Sequence, residues 1–242
     1  MSRFAQADYA RLRAYFEKYR FSDGLLTENE AVAKNVHKNT LCAIQVWASA
    51  RRAVDKNMMV MGDRPLQPES MQRMLLDEFF SDIVTSAFSA YHGLYKPAHV
   101  TLRSAVEVFV RAGAGNVNSE ALETTSVFRL FEIAADCNVY EGARKKYFDD
   151  LKACYGELCG YAHTATPGHM GRIYAFADFP VYNAEKLSSF AKYHKKIVGS
   201  ALSILIDNNA IIYNSVPPRA RDLLDDALPA GPRLSALGSI DS

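Results

Sequence analysis

Apolar residues recur at intervals of three and four along most of the chain, and each stretch that keeps this spacing predicts an amphipathic helix. In the first, about Ser2 to Arg20, Phe4, Tyr9, Leu12, Tyr15, Phe16 and Tyr19 share a face, and Ser22-Asp23-Gly24 closes the segment. A second opens at Thr27, where T-E-N-E fits a capping box, and runs to about Lys56 through Val32, Val36, Leu41, Ile44 and Trp47. Gly62 to Pro68 reads as a loop. A third helix spans about Pro68 to His92, with Met71, Leu75, Phe79, Ile83, Ala87 and Tyr91 each one turn apart and Gly93 placed to end it. The fourth, about Lys96 to Ala112, has Pro97 in its first turn and Gly113 past its end. The short link between them predicts that helices three and four are antiparallel neighbours.

The pattern continues with a fifth helix from about Glu120 to Cys137 and a sixth from about Tyr140 to His163. Thr164 to Tyr182 is a long loop, of the kind that is often functional in a compact domain. A seventh helix spans about Ala184 to Asp207, Pro217-Pro218 breaks the chain, and Arg219–Leu228 makes a further turn or two. No segment keeps the two-residue alternation of a sheet. The expected fold is therefore all-α: a bundle of about seven helices with an antiparallel up-down core. Residues 1–228 are expected to form one helical domain, with an N-terminal helical pair over 1–60 and a core bundle over 68–210, and 229–242 a disordered tail.

Composition changes this picture little. Lys and Arg number 28 against 27 Asp and Glu, so binding to nucleic acid must come from a local patch and not from overall charge. Cys42, Cys137, Cys154 and Cys159 show no C-x-x-C pair and read as reduced, buried thiols. No apolar run approaches the roughly 20 residues needed to span a bilayer. The first residues, rich in charge and aromatics, lack the apolar region of a signal peptide, so a cytoplasmic, reducing location is expected.

The chemistry of interest begins in the fourth predicted helix, KPAHVTLRSAVEVFVRAG. Ala98, Leu102, Ala105, Val106 and Phe109 make a wide apolar face, while His99, Arg103, Glu107 and Arg111 recur every fourth residue as a polar stripe. Arg103 and Glu107 can pair along the helix. Two accounts remain open for the stripe: a solvated face with a weak ion pair, or the lining of a cleft. In the sixth predicted helix, YGELCGYAH places Tyr155, Cys159 and His163 four apart, with His163 where the helix meets the long loop. An imidazole there is suited to proton transfer or phosphate contact, or simply to the helix dipole. The loop contributes His169 and Arg172 beside Gly168 and Gly171, a composition that can contact phosphate, although it matches no P-loop.

These two segments carry a resemblance. A helix ending in Gly-Leu-Tyr-Lys, followed by A-x-x-x-L-R-S-A-V-E and later by Y-x-E-L-C-x-Y-x-H, resembles the bacterial HEPN-like helical-bundle proteins of abortive-infection and phage-defence type, over Ser86 to His163. The resemblance implies a compact bundle, homo-oligomerisation and, in many members, metal-independent RNA cleavage by an Arg and a His on one helix. None of the six histidines here, His37, His92, His99, His163, His169 and His194, has an Arg five to seven positions before it. On this resemblance, Arg103, Glu107 and His163 are the expected catalytic set, drawn from separate helices, with His99, Arg111, Tyr155, His169 and Arg172 as expected substrate contacts. The alternative is a catalytically silent bundle that binds a nucleotide or regulates a partner protein of the same system. No metal cluster, G-x-S-x-G or Walker pattern is present, so neither metal nor cofactor is expected.

Overall fold

The computed structural model describes residues 2–19, 29–171 and 182–238, and over these the chain is helical almost throughout. In chain order the helices are α1 (Arg3–Tyr19), α2 (Glu30–Asp55), α3 (Met71–Tyr91), α4 (Tyr95–Val117), α5 (Glu120–Glu123), α6 (Val127–Ala135), α7 (Lys145–His163), α8 (Ala184–Asn208), α9 (Ala210–Ser215), α10 (Pro218–Ala227) and α11 (Ala230–Gly238). The predicted loop after α2 holds a minimal hairpin, β1 (Val60–Met61) antiparallel to β2 (Arg64–Pro65). The expected all-α fold is what the chain adopts. A single apolar cluster runs through the described residues from Ala5 to Ala236.

The α3–α4 hairpin is the backbone of the bundle and follows directly from its sequence. Ser70 caps α3 by accepting from the Arg73 N–H. At the other end Gly93 takes φ +73°, the Gly93 N–H donates to the Ala90 carbonyl at 3.1 Å, and the Leu94 N–H donates to Ser89 at 2.9 Å. This Schellman arrangement reverses the chain, so α4 packs back along α3. On α4, Ala98, Leu102, Ala105, Val106 and Phe109 are buried as their spacing predicted. α7 and α8 complete the core against α4, and α2 closes it over α8 and α3.

Three boundaries differ from expectation. α4 does not stop at Gly113 but continues to Val117; a Cβ at Gly113 would collide with the Tyr140 hydroxyl and one at Gly115 with Leu122. Those glycines permit close packing and do not end the helix. The predicted fifth helix is broken at Thr124–Ser126, where Ser126 caps α6 by accepting from the Arg129 N–H. The sixth begins five residues late, at Lys145, after short 3-10 turns at Asn138–Tyr140 and Gly142–Arg144, with Gly142 at φ +59°. The T-E-N-E motif begins at Thr27, outside the described residues, and Asn29 stands at the N-cap of α2. Past Pro229, Ala230–Gly238 is helical and buries Ala236 against the rest of the bundle, and the last four residues of the expected tail lie outside the described residues. Its proline, Pro232, falls in the first turn, where proline is tolerated. No described helix is long and apolar enough to cross a membrane. Cys42, Cys137 and Cys154 are buried free thiols, and Cys159 is half-buried.

Candidate functional site

Along the α4–α7 seam the two helices run antiparallel, and the register is fixed by three contacts. Lys96 Nζ donates to Thr164 Oγ1 at 2.7 Å, the His99 ring stacks on Tyr161 at 3.8 Å and 7°, and Arg103 Nε donates to Cys159 Sγ at 3.3 Å. The first half of the polar stripe, His99 and Arg103, therefore faces α7, and its members have different fates.

His99 is only 1% exposed. Its Nδ1 lies 2.7 Å from the Tyr95 carbonyl, which places the proton on Nδ1 and leaves Nε2 as a buried lone pair with no partner among the described residues. Phe190 and Tyr193 meet the ring edge-on. Burial pushes its pKa down to about 4; the Tyr95 carbonyl opposes this, while the positive fields of His169 and Lys186 add to it.

Arg103 is half-buried, with its guanidinium 4.5 Å from the centre of the Tyr155 ring and its NH2 hydrogen-bonded to the Tyr155 hydroxyl. Burial pushes the Tyr155 hydroxyl up to about 12 despite the opposing charge of Arg103. Glu107 forms its ion pair not with Arg103 but with Arg111, at 3.1 Å. Arg111 also donates to the carbonyls of Ala121 at 2.8 Å and Thr124 at 2.7 Å, so it holds the turn between α5 and α6. Arg111 thus acts as a clasp on helix-end carbonyls.

His163 is exposed in the last turn of α7 and makes no hydrogen bond or ion pair among the described residues. In the register of the seam it lies opposite the first turn of α4, about 10 Å along the helix from Arg103. The described contacts thus gather Arg103 with Tyr155 and Cys159, and Glu107 with Arg111, but bring His163 to neither. What His163 does neighbour is Thr164, which ends α7 in the left-handed conformation at φ +52° and binds Lys96.

At that end of the seam a cleft of about 140 Å³ opens, lined by the start of α4, the start of α8, Tyr161 and the turn at Gly168–Gly171. Lys96, Lys186 and His169 bring cationic or cationisable groups from three separate elements, and among the described residues no Asp or Glu lines it. Two helices begin here: α4 after Leu94, which supplies no side-chain cap, and α8 after Asn183, whose Oδ1 accepts from the Lys186 N–H at 2.9 Å. The Tyr95 hydroxyl accepts from the Asn183 N–H at 3.0 Å and ties the two starts together. His169 is held by Thr166, with Nδ1 to Oγ1 at 2.9 Å, and meets Tyr161 edge-on at 4.6 Å. It packs so closely on α7 that a Cβ at Gly160 would lie 2.7 Å from its Cε1. Tyr161 is therefore held between His99 and His169.

The chain matches no family model, no curated protein and no solved structure. A cleft with two lysines, a histidine and two helix starts, and no acid among its described lining residues, suits a small anion, phosphate above all. Among the described residues no group of three His, Cys, Asp or Glu side chains could hold a metal ion. Arg172 lies outside the described residues. Lys96 and Lys186 were not among the expected site residues, because a lone lysine in a first turn is indistinguishable in sequence from a solvated one. Only the Tyr95–Asn183 contact, across 88 residues, reveals that they share a cleft.

Proposed function

We propose that the protein is a HEPN-like bundle of bacterial defence type that binds RNA by its backbone phosphates, with Lys96, Lys186 and His169 as the primary phosphate contacts. The observation that supports this best is the absence of any carboxylate among the described residues lining a cleft with three cationic or cationisable side chains, in a chain whose acids nearly equal its bases. Uncompensated positive charge in so small a volume is a ready anion site. The downward pull of Lys186 and His169 on the His99 pKa is consistent with that field.

The binding role is favoured over nuclease activity by the separation of Arg103 from His163. A specific observation keeps cleavage as the second reading: His163 is exposed one residue from Thr164, the hydroxyl that Lys96 holds at the cleft. In the cleavage reading His163 would supply the general acid or base for a phosphate held by Lys96. Both readings are tested with a labelled single-stranded RNA in EDTA, by fluorescence anisotropy for binding and by gel for cleavage. Binding that weakens in Lys96→Ala and Lys186→Ala, with intact RNA throughout, supports the binding role. Cleavage that is lost in His163→Ala supports catalysis, and no binding by the unaltered protein contradicts both.

A further inference from the structure

Two glycines lie inside α7, and only one is explained by packing. Gly160 yields room to His169, whereas a Cβ at Gly156 would meet nothing within 4 Å. Glycine is the costliest helix-interior residue after proline, so a position that does not need it for packing calls for another reason. Gly156 is the floor of a second cleft, about 410 Å³, between α6 and α7. Phe128, Phe131 and Tyr155 line it, the last two being core residues only 5% and 9% exposed, and Lys152 and Glu132 line it as well. Tyr155 is fixed on one side by the Arg103 guanidinium and on another by Phe131, at 5.2 Å and 57°. Phe128 is 76% exposed, the most exposed large apolar side chain among the described residues. Lys152 is exposed and makes no ion pair among the described residues, while the Glu132 carboxylate lies 3.5 Å from Arg129.

We infer that this cleft takes a nucleobase, stacked on the exposed ring of Phe128 over the bare backbone of Gly156. A flat heterocycle uses the features of the cleft: one face meets the Phe128 ring, an exocyclic amine donates to Glu132, and the phosphate carried by the same nucleotide meets Lys152. An aliphatic side chain from a protein partner would leave both charged groups unused. A residue larger than glycine at position 156 would project into the space that the ring occupies. The inference deepens the RNA-binding reading and rests on it for the class of polymer, but the ring-binding step stands on the cleft alone.

Two fluorescent probes test it on the full chain: 2-aminopurine riboside up to millimolar concentration, and a short single-stranded RNA carrying 2-aminopurine, each quenched when its base stacks. The expected result is saturable quenching of both probes, weakened at least tenfold in Gly156→Leu, with a melting temperature at or above that of the unaltered protein. Phe128→Ala is expected to weaken both probes as well, and Lys96→Ala the RNA alone. Riboside quenching that depends on position 156 without any RNA binding would uphold the cleft and overturn the RNA reading. Quenching unchanged in Gly156→Leu overturns the inference, as does RNA binding that depends on Lys96 without any quenching of the riboside. Quenching of neither probe overturns both.

Discussion

Lys96 Nζ donates a hydrogen bond to Thr164 Oγ1 at 2.7 Å, linking the first turn of α4 to the residue that ends α7. Thr164 holds a left-handed backbone, φ +52° and ψ +43°, that a β-branched residue rarely adopts, and its hydroxyl is the atom Lys96 uses. Strain at this point is consistent with a site whose geometry matters more than its stability. Thr164→Gly relaxes the backbone but removes the acceptor. The expected outcome is a protein of equal or slightly higher thermal stability, by roughly 1 kcal/mol or less, with weaker RNA binding. Parallel melting and anisotropy measurements check the pair of effects.

The glycines of the core and of the surface separate by the same logic. Gly113→Ala forces a methyl group into the Tyr140 hydroxyl, and overpacking of this kind costs about 1–3 kcal/mol, outweighing the gain in helix propensity. Gly156→Ala meets no such neighbour and is expected to stabilise by about 1 kcal/mol. Urea unfolding of the two variants should move the midpoint in opposite directions.

Acid is expected to destabilise the fold through its buried histidines. Burial lowers the His99 pKa to about 4 and that of His194, whose Nε2 lies 3.3 Å from Thr40 Oγ1, to about 3. Both lie below the value of about 6.5 in the unfolded chain, so below pH 6.5 the unfolded state binds protons that the folded state refuses. The stability these groups allow is complete above pH 6.5 and falls as pH drops toward 4 and 3. By pH 5 the loss amounts to about 2 kcal/mol for each group. A melting temperature that falls between pH 7 and pH 5, with a shallower slope in His194→Leu, is the expected result.

Arg103 is expected to act on the fold before it acts on any ligand. Arg103→Ala removes the cation over Tyr155 and the hydrogen bonds to Tyr155 and Cys159, at a cost of about 1–2 kcal/mol. Lys does not restore the planar contact, so Arg103→Lys recovers little of it. RNA affinity should fall less in Arg103→Ala than in Lys96→Ala, which separates a positioning residue from a phosphate contact.

How much of this was legible in sequence varies with how local the cause is. The α3–α4 hairpin was readable because its signals lie within a few residues: i+4 spacing from Met71 to Tyr91, then Gly93 and Pro97. The end of α4 was not, because Gly113 and Gly115 look like stop signals until Tyr140 and Leu122 are known to press against them. The same divide runs through the candidate site. Spacing alone placed His99, Arg103, Glu107 and Arg111 on one stripe, of which His99 and Arg103 meet α7 while Arg111 turns to α5 and the turn after it. Their partners come from other helices, so spacing could not say that Arg111 would clasp the carbonyls of Ala121 and Thr124, or that Arg103 would meet Tyr155 and not Glu107. The cleft of Lys96, Lys186 and His169 exists only once α4, α8 and the loop have been brought together.

The most direct test of the central claim is the salt dependence of RNA binding in the unaltered protein and in Lys96→Ala/Lys186→Ala. If those side chains neutralise backbone phosphates, the logarithm of affinity falls linearly with the logarithm of salt, by roughly 0.7 per phosphate contact on a single strand. The double substitution is then expected to weaken binding at low salt and to make that slope shallower by about 1.4. Affinity and slope unchanged by the double substitution would contradict the account.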